Sequence, residues 1–302
     1  MTLMLRFLLL LPFALCMLLS TAQAQLQVGM QIKRRLFVQY EPIVATVFIR
    51  NLSGRDIPLM DQDNKQWFGF SIYEGGERPL VAYNPDYQTE PIIIPAGETI
   101  QRKVVLNHMY PVNSLGSYRI KAQIYFAALD QYFESPPFTV EITTGRAISE
   151  QTVGVPEGLP GAGELRRYTV MTFRRTDHNY IYVKVENPDN GAVFCCQPIG
   201  RLITAVGAEP EIKLDRDNQL HILHLTGPKM FRHTMVSLNG ELLGQETYMA
   251  APMRPTLRVA KSGDMVVVGG VLYNKNNMAN ELGVPAAPNI PKLSDRPPLP
   301  KS

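Results

Sequence analysis

Two histidines of this 302-residue chain, His221 and His233, are spaced so that their imidazole rings could meet. A hairpin that turns around Pro228 pairs Leu223 with His233, and it places His221 diagonally across from His233 on the same face of a sheet. Two imidazoles at that separation can share a metal ion, although the pattern supplies no third ligand. We predict two histidines on one sheet face, and a metal-dependent or hydrolytic site there is an alternative.

A second histidine spacing points away from metal binding. His224 follows His221 by three positions, which puts two side chains on one face of a helix but on opposite faces of a strand. Because residues 220–225 are predicted as a strand, this pair is not expected to chelate a metal.

Two acidic turns, at 61–64 and 215–218, have the Asp-x-Asp-Asn form with which a calcium-binding loop begins. Neither continues with the glycine at the sixth position and the distant glutamate that such a loop requires. Asp and Asn also favour turns because their side chains hydrogen-bond to the nearby backbone. We expect turns at both places, with calcium binding as the alternative.

Cys195 and Cys196 are adjacent, and they are the two cysteines that remain once Cys16 is removed with an export signal. A strained vicinal disulfide would mark a ligand or redox site, whereas two reduced thiols on opposite faces of a strand would be structural. No disulfide can join distant parts of the chain, so each domain must be stabilised by its own core. The one tryptophan, Trp67, is expected in such a core, with ligand stacking as the alternative.

Motifs that indicate catalysis are missing from the sequence. It has no Gly-x-Ser-x-Gly, Ser-x-x-Lys or His-Glu-x-x-His pattern, no phosphate-binding loop and no dinucleotide fingerprint. The formal net charge is +3 without a dominant basic block, which argues against nucleic-acid binding. We therefore expect a non-catalytic protein with no cofactor and no nucleic-acid partner.

The first 24 residues have the features of a signal peptide. Arg6 supplies a positive charge, an apolar run follows at 7–19, and Ala22-Gln23-Ala24 is a small-x-small cleavage site. No other apolar stretch approaches the ~20 residues that a membrane span needs. The pattern predicts cleavage near Ala24 and export to the periplasm or the extracellular space, without a transmembrane segment.

Residues 25–144 alternate apolar and polar side chains, which is the pattern of half-buried strands. Turn sequences interrupt the alternation, so that about seven short strands fall in ~120 residues. This pattern predicts an all-β domain with an immunoglobulin-like sandwich. The predicted strands are 42–50, 57–59, 67–73, 91–94, 100–106, 118–126 and 138–142.

Three segments of this region carry a resemblance to a known fold family: 44–51, the Pro-Ala-Gly-Glu turn at 95–98, and 116–120. A turn of aliphatic-Pro-x-Gly-Glu type, a strand, and then Gly-x-Tyr-x-aliphatic recur in secreted bacterial sandwiches of the proteinase-inhibitor and macroglobulin type. The region resembles these modules at the level of fold. The resemblance implies that Gly116 starts the last hairpin and that Tyr118 caps the core, and it carries no catalytic motif.

Residues 145–164 are predicted to be a linker. Five glycines and two prolines fall between 145 and 163, and the segment has little apolar periodicity. A second β domain is then expected at 165–274. The proline-rich residues 275–302 are predicted to form a disordered or polyproline tail.

The second domain contains an internal repeat. Residues 179–203 align with 219–243 at an offset of 40, and 210–218 align with 255–263 at an offset of 45. In the second alignment an asparagine falls on a glycine, which indicates a hairpin apex with a left-handed backbone.

One repeat unit is predicted as a meander of four antiparallel strands with an Asn-Gly turn before the last. This is the spacing of a β-propeller blade. About two and a half units fit between 166 and 274, fewer than a closed ring of blades requires. We expect an open, blade-like domain, with pairing between chains in a homo-oligomer as the alternative. The predicted strands of the unit are 211–214, 220–225, 231–238 and 242–249.

These expectations favour an exported, non-catalytic protein that binds a protein or glycan partner, or has a structural role, in the bacterial envelope or outside the cell. One alternative is a secreted proteinase inhibitor that acts through a sandwich loop at 81–90. The other is the hydrolase or metal-dependent site around His221 and His233.

Overall fold

The computed structural model describes residues 25–84 and 88–273, and these are mostly β-strands. The predicted all-β class is confirmed. The predicted signal peptide at 1–24 and the predicted tail at 275–302 lie outside the described residues. In the part of the chain that is described, no helix is long and apolar enough to cross a membrane. The chain divides into two compact units between Thr144 and Gly145.

The first unit contains eleven strands among its described residues, together with one short helix and a 3₁₀ turn at Ala127–Leu129. Their bounds are β1 Leu26–Ile32, β2 Leu36–Val38, β3 Val44–Asn51, β4 Ile57–Leu59, β5 Phe68–Glu74, β6 Arg78–Pro79, β7 Ile92–Ile94, β8 Thr99–Val105, α1 Leu106–Met109, β9 Gly116–Phe126, β10 Gln131–Glu134 and β11 Phe138–Thr143.

The strands of the first unit form two principal sheets. One has the order β1-β3-β8, and the other has the order β2-β11-β9-β5-β6 with β10 paired to β9, while β4 pairs with β7. Alternate burial along β3 and β9 turns one face of each sheet inward, and the two inward faces share a single apolar core. The unit is therefore a β-sandwich. All seven predicted strands are present, and β1, β2, β6 and β10 are additional to them.

The residues behind the family resemblance have clear structural roles. Gly97 has a φ of 76°, and the N–H of Glu98 donates to the Pro95 carbonyl at 3.1 Å, which closes the turn before β8. Tyr118 is fully buried, and its hydroxyl donates to the Ser114 carbonyl at 2.9 Å. This side chain thus fills the core and ties the entry of β9 to it.

The second unit also contains eleven strands among its described residues. Their bounds are β12 Arg146–Gly154, β13 Leu165–Arg174, β14 Asn179–Glu186, β15 Val193–Arg201, β16 Glu211–Leu214, β17 Leu220–Gly227, β18 Met230–Val236, β19 Leu242–Met249, β20 Thr256–Val259, β21 Met265–Val268 and β22 Val271–Leu272.

The predicted linker at 145–164 is wrong. Nine of its twenty residues form β12, which pairs along its length with β13. The residues after β12 form an ordered hairpin connection, in which the N–H of Val155 donates to the Glu164 carbonyl at 2.8 Å. Because β12 is an edge strand with mostly exposed side chains, it lacks the apolar alternation by which a strand is predicted. The second domain therefore begins at Gly145 and not at 165.

Three sheets stack face to face in the second unit. Strands β12–β15 form the first, β16–β19 with β22 the second, and β20–β21 the third. One apolar cluster joins the first two sheets and contains Val183 and Ile222, and another joins the last two and contains Leu223 and Leu257. Strand β17 lies in the middle sheet, so six consecutive residues from Leu220 are buried.

The predicted four-strand meander is confirmed as β16 to β19. The offset of 45 residues is also structural, since β16–β17 and β20–β21 are hairpins with matching connections at 215–219 and 260–264. The equivalent residues Asn218 and Gly263 have φ values of 59° and 90°, as the alignment predicts. The offset of 40 instead matches β14–β15 with β17–β18, which hold different positions in their sheets.

Candidate functional site

His221 and His233 meet on one face of the middle sheet, as their spacing predicts. Leu223 pairs with His233 in the register of β17 and β18. Nδ1 of His221 lies 3.0 Å from Nε2 of His233, and the two rings stack with their centroids 5.2 Å apart. The hairpin register therefore brings the two imidazoles into direct hydrogen-bonding contact.

A carboxylate adjoins each end of this histidine pair. Oδ2 of Asp215 lies 3.1 Å from Nε2 of His221, and Oε2 of Glu246 lies 4.0 Å from Nδ1 of His233. The acidic pattern at 215–218 predicts a turn and not a contact between Asp215 and His221, but the hairpin register could have found this contact. Lys213 pairs with His221, and Asp215 lies two residues along the same face. We call Asp215, His221, His233 and Glu246 the histidine row.

The tautomers of the two imidazoles set the direction of the hydrogen bonds within the row. In one arrangement, Nε2–H of His221 donates to Oδ2 of Asp215, and Nε2–H of His233 donates to Nδ1 of His221. Both ring nitrogens of His221 are then used within the row.

Burial shifts the pKa values of His233 in the row and of Tyr248, which adjoins the row. Burial and the neighbouring His221 lower the pKa of His233 to about 4, against the opposing effect of Glu246. Tyr248 donates its hydroxyl to Glu246 at 2.7 Å, and burial together with this hydrogen bond raises the pKa of Tyr248 to about 12. At neutral pH the row therefore contains an uncharged His233.

The centre of the histidine row is closed to solvent. His221 is 3% exposed and His233 is 5% exposed. Oδ1 of Asp215 accepts the N–H groups of Asp217 and Gln219, which makes this carboxylate the cap of its own turn. Among the residues that the structure describes, no group of three or more His, Cys, Asp or Glu is placed to hold a metal ion. The geometry supports internal proton sharing, not contact with a substrate.

The other acidic turn lies at the surface of the first unit beside Trp67, which belongs to the core. The carboxylate of Asp61 accepts the N–H groups of Trp67 and Thr89 at 2.9 and 3.3 Å, so both of its oxygens are used by the backbone. Trp67 is fully buried, and its indole N–H donates to the Thr89 carbonyl at 3.3 Å. Trp67 is therefore a core residue and not a surface on which a ligand stacks.

His224 lies on the opposite face of β17 from His221, as predicted for a strand. It is fully buried, and neither of its ring nitrogens has a hydrogen bond of normal geometry to another described residue. Burial and the charge of Arg232, its cross-strand neighbour, lower the pKa of His224 to about 4, and the backbone of Arg201 opposes this shift. His224 is a neutral core residue at physiological pH.

The adjacent cysteines lie on β15, and no disulfide joins them. Cys196 is buried, and Cys195 packs against Gly240 so closely that a Cβ added to the glycine would overlap the sulfur. Burial raises the pKa of Cys195 to about 11. Because the thiolate is the reactive form, this protonated thiol is a packing residue.

A cleft of about 810 Å³ opens in the second unit, and all of its lining residues belong to that unit. It lies between the β12–β13 end of the first sheet and the connection 202–210 that leads to β16. Its floor is apolar, because partly buried side chains from both cores of the unit reach it. These side chains are Leu202, Ile203, Ala208 and Ile212.

Two arginines line the cleft on one face of the first sheet. Arg146 pairs with Thr172, and Arg174 pairs with Asn179, so the four residues share a face. Both arginines are exposed, and neither guanidinium is paired with a side chain of the described chain. Glu209 is the acidic lining residue, and it also has no ion pair there.

A bulge in β12 directs Ile148 toward the cleft. The register shifts between Ala147 and Ser149, so Ile148 has no partner on β13. A bulged residue departs from the alternation of its strand and turns its side chain in a new direction. No local pattern predicts this cleft, because its lining comes from separate stretches of sequence.

The wall of the cleft is held in place by backbone hydrogen bonds. The N–H of Ile203 donates to the Leu225 carbonyl, and the N–H of Leu202 donates to the Asn179 carbonyl, both at 2.9 Å. Arg254 donates to the Glu209 carbonyl at 3.2 Å. Because these bonds anchor the connection 202–210 to its neighbours, the cleft is formed without a ligand.

No protein-family model matches this chain, and no curated protein and no solved structure matches it. A functional assignment therefore rests on the geometry of the cleft and on the sequence.

Proposed function

We propose that this protein is an exported, non-catalytic binding protein of the bacterial envelope or extracellular space, and that its cleft holds the partner. The cleft itself carries the proposal, since it combines an apolar floor, an anchored wall and two arginines without side-chain partners in the described chain. Concave apolar sites with a few convergent polar groups are the usual places where proteins hold ligands. The signal-peptide pattern that ends at Ala24 supports export.

The positions of the titratable groups support binding over catalysis. His221 and His233 hydrogen-bond to each other in a buried row, and the thiol of Cys195 is protonated at neutral pH. The charged groups that line the cleft are Arg146, Arg174 and Glu209. Arginine stays protonated throughout the physiological range, so the arginines can hold an anion but are poorly suited to moving a proton.

The experiment that tests this proposal is a binding screen of the chain from Gln25, with peptide and glycan arrays, against two matched variants. Ile148→Asp places a charge in the cleft, and Ile93→Asp places the same charge at an exposed position of the first unit. We expect a partner that binds wild type and Ile93→Asp but is lost with Ile148→Asp. A partner held equally by all three proteins would place the binding surface elsewhere, and no partner at all would remove the support for the proposal.

A second candidate function is proteinase inhibition through the 81–90 loop of the sandwich. The observation that favours it is exposure, since Val81 is 70% exposed and Tyr83 is 59% exposed. Exposed apolar side chains on a loop are suited to entering the specificity pocket of a protease. Residues 85–87 of this loop lie outside the described residues.

Incubation with a panel of secreted proteases separates the two candidates. Inhibition that disappears in Val81→Asp and persists in Ile148→Asp would assign the function to the sandwich loop. Absence of inhibition at micromolar protein would exclude this candidate.

A further inference from the structure

We infer that the cleft binds an extended acidic peptide, which adds as a strand to the outer edge of β12 and presents a carboxylate to Arg146 and Arg174. This inference rests on the proposed binding role of the cleft, and it names the class of ligand. The edge of the sheet, the charge of the rim and the position of the bulge each support it.

The outer edge of β12 supplies the part of recognition that does not depend on sequence. β12 is the first strand in the order β12-β13-β14-β15, so among the described residues it has a strand neighbour on one side only. An edge strand presents N–H and C=O groups with which an extended peptide can form a new ladder. The cleft is lined by the first three residues of β12, so an added strand would run along the cleft.

The two arginines supply the charge preference. A residue on an added strand, directly opposite Arg146, has its Cβ about 4.5–5.5 Å from that of Arg146 on the same face. Arg174 lies on that face too, one strand further in. An aspartate or glutamate at the opposite position can therefore reach guanidinium groups that have no other side-chain partner in the described structure. With Glu209 counted, the lining of the cleft has one net positive charge.

The bulge in β12 and the apolar floor of the cleft favour an apolar side chain at a second position of the bound peptide. Ile148 on the bulge and Ile203 on the connection 202–210 both line the cleft. Side chains two positions apart in an extended peptide share a face, whereas adjacent ones do not. The cleft therefore selects a peptide in which an acidic residue and an apolar residue are separated by one position.

Two synthetic peptides of identical composition test this inference. In one, Glu and Leu are separated by one residue, and in the other they are adjacent. We expect calorimetric titration to show the separated peptide binding about tenfold more tightly, since only that peptide can fill both subsites at once. Arg146→Ala and Arg174→Ala should each weaken this binding about threefold to tenfold, and added salt should weaken it as well.

Two further variants control for non-specific charge effects. Glu209→Gln removes the acidic lining residue and should tighten the binding of the separated peptide about twofold. Arg258→Ala removes an exposed arginine of β20 outside the cleft and should leave binding unchanged. Thermal melting of each variant shows whether it is folded.

An uncharged apolar dye separates failure of this inference from failure of the proposed function. If the dye binds wild type but not Ile148→Asp, and neither peptide binds, the cleft is a binding site for another class of ligand and the inference is overturned. If the dye and the peptides all fail to bind, both proposals are overturned. Equal affinity for the two peptides overturns the added-strand geometry. Self-association that Arg146→Ala abolishes, measured by sedimentation, would replace the peptide by a second copy of the chain.

Discussion

Strand β9 of the first unit and strand β17 of the second bury their residues in different patterns. Along β9, alternate side chains from Tyr118 to Ile124 are buried, because one face of the sheet meets the core and the other faces outward. Along β17, six consecutive side chains from Leu220 are buried, because a sheet packs on each face. The described residues of the first unit thus share one core, whereas β17 of the second unit separates two apolar clusters, one on each of its faces.

This difference in burial determines which hydrogen-bond partners are open to the buried polar side chains of each unit. In the first unit, the buried Asn51 is fully used at a turn: its amide donates to the Arg55 and Ile94 carbonyls, and its oxygen accepts the N–H of Ser53. In the second unit, β17 has no outward face, so His221 and His224 lie within packed layers, where His221 hydrogen-bonds to His233 and His224 stays neutral. We therefore expect the first unit to be sensitive to lost volume and the second to added protons.

The largest effect expected from a single substitution is that of Trp67→Ala in the first unit. The indole is fully buried beside Phe68, with ring centroids 5.5 Å apart, so its removal leaves a cavity in the single core. We expect a loss of about 3–5 kcal/mol of unfolding free energy, and a smaller loss for Trp67→Phe. Scanning calorimetry should show one transition lowered and one unchanged. An equal shift in both transitions would show that the two units unfold together and do not differ in their sensitivity to lost volume.

Acid is expected to act mainly on the second unit. His224 and His233 have pKa values of about 4 in the fold, against about 6.5 in the unfolded chain, so the unfolded state binds protons more tightly. Their contribution to stability is complete above pH ~6.5 and is lost as the pH falls toward 4, by up to about 2–3 kcal/mol for each histidine. The first unit has one histidine, the exposed His108. Melting at about pH 7 and pH 4.5 should therefore shift chiefly the transition of the second unit.

The variant that tests the origin of this acid response is His224→Leu. Leucine fills a similar volume in the same apolar layer but cannot gain a proton, so about half of the acid response should disappear. At neutral pH the variant should be at least as stable as wild type, since a buried imidazole without a hydrogen bond is replaced. An acid response as large as that of wild type would assign the effect to other groups.

The predictable parts of the fold are those in which residues close together in sequence follow one local pattern. Alternation and turn residues specify the strands of the sandwich, and the turn around Pro228 specifies that Leu223 faces His233. Strand β12 was not predictable, because an edge strand with exposed side chains has the composition of a linker.

The candidate site was less predictable than the fold, for a related reason. The lining of the cleft comes from β12, β13 and the connection 202–210, which are far apart in sequence. Only the stacking of the sheets brings Arg146 and Ile203 to one place, and no local pattern encodes that stacking. The contact between His221 and His233 was predictable because the two residues lie on consecutive strands of one hairpin, whereas Asp215 and Glu246 were not predicted as their partners.

Packing in the two units can be compared at two glycines that have similar backbone φ angles but different surroundings. Gly97 in the first unit and Gly240 in the second have φ values of 76° and 83°, so alanine strains the backbone at both by about 1–2 kcal/mol. A Cβ at position 97 meets open space, whereas one at position 240 overlaps Cys195. Gly240→Ala should therefore cost about 1–3 kcal/mol more than Gly97→Ala in chemical denaturation. Equal losses of unfolding free energy in the two variants would show that the packed side chains of the second unit can move apart at little energetic cost.

The smallest expected effects come from the two repeated hairpins of the second unit. The 45-residue sequence repeat that relates them does not extend to the first unit. Gly263 occupies the place that Asn218 occupies 45 residues earlier, and both backbones are left-handed. Because asparagine enters this conformation more easily than other residues with a Cβ, Gly263→Asn should cost less than about 1 kcal/mol, and Gly263→Val about 2 kcal/mol. Asn218→Gly should cost about 1 kcal/mol, since the asparagine also donates to the Gly154 carbonyl at 3.0 Å. Equal melting temperatures for the two variants at position 263 would mean that the backbone does not select the apex residue, and the 45-residue repeat would then lose its physical basis.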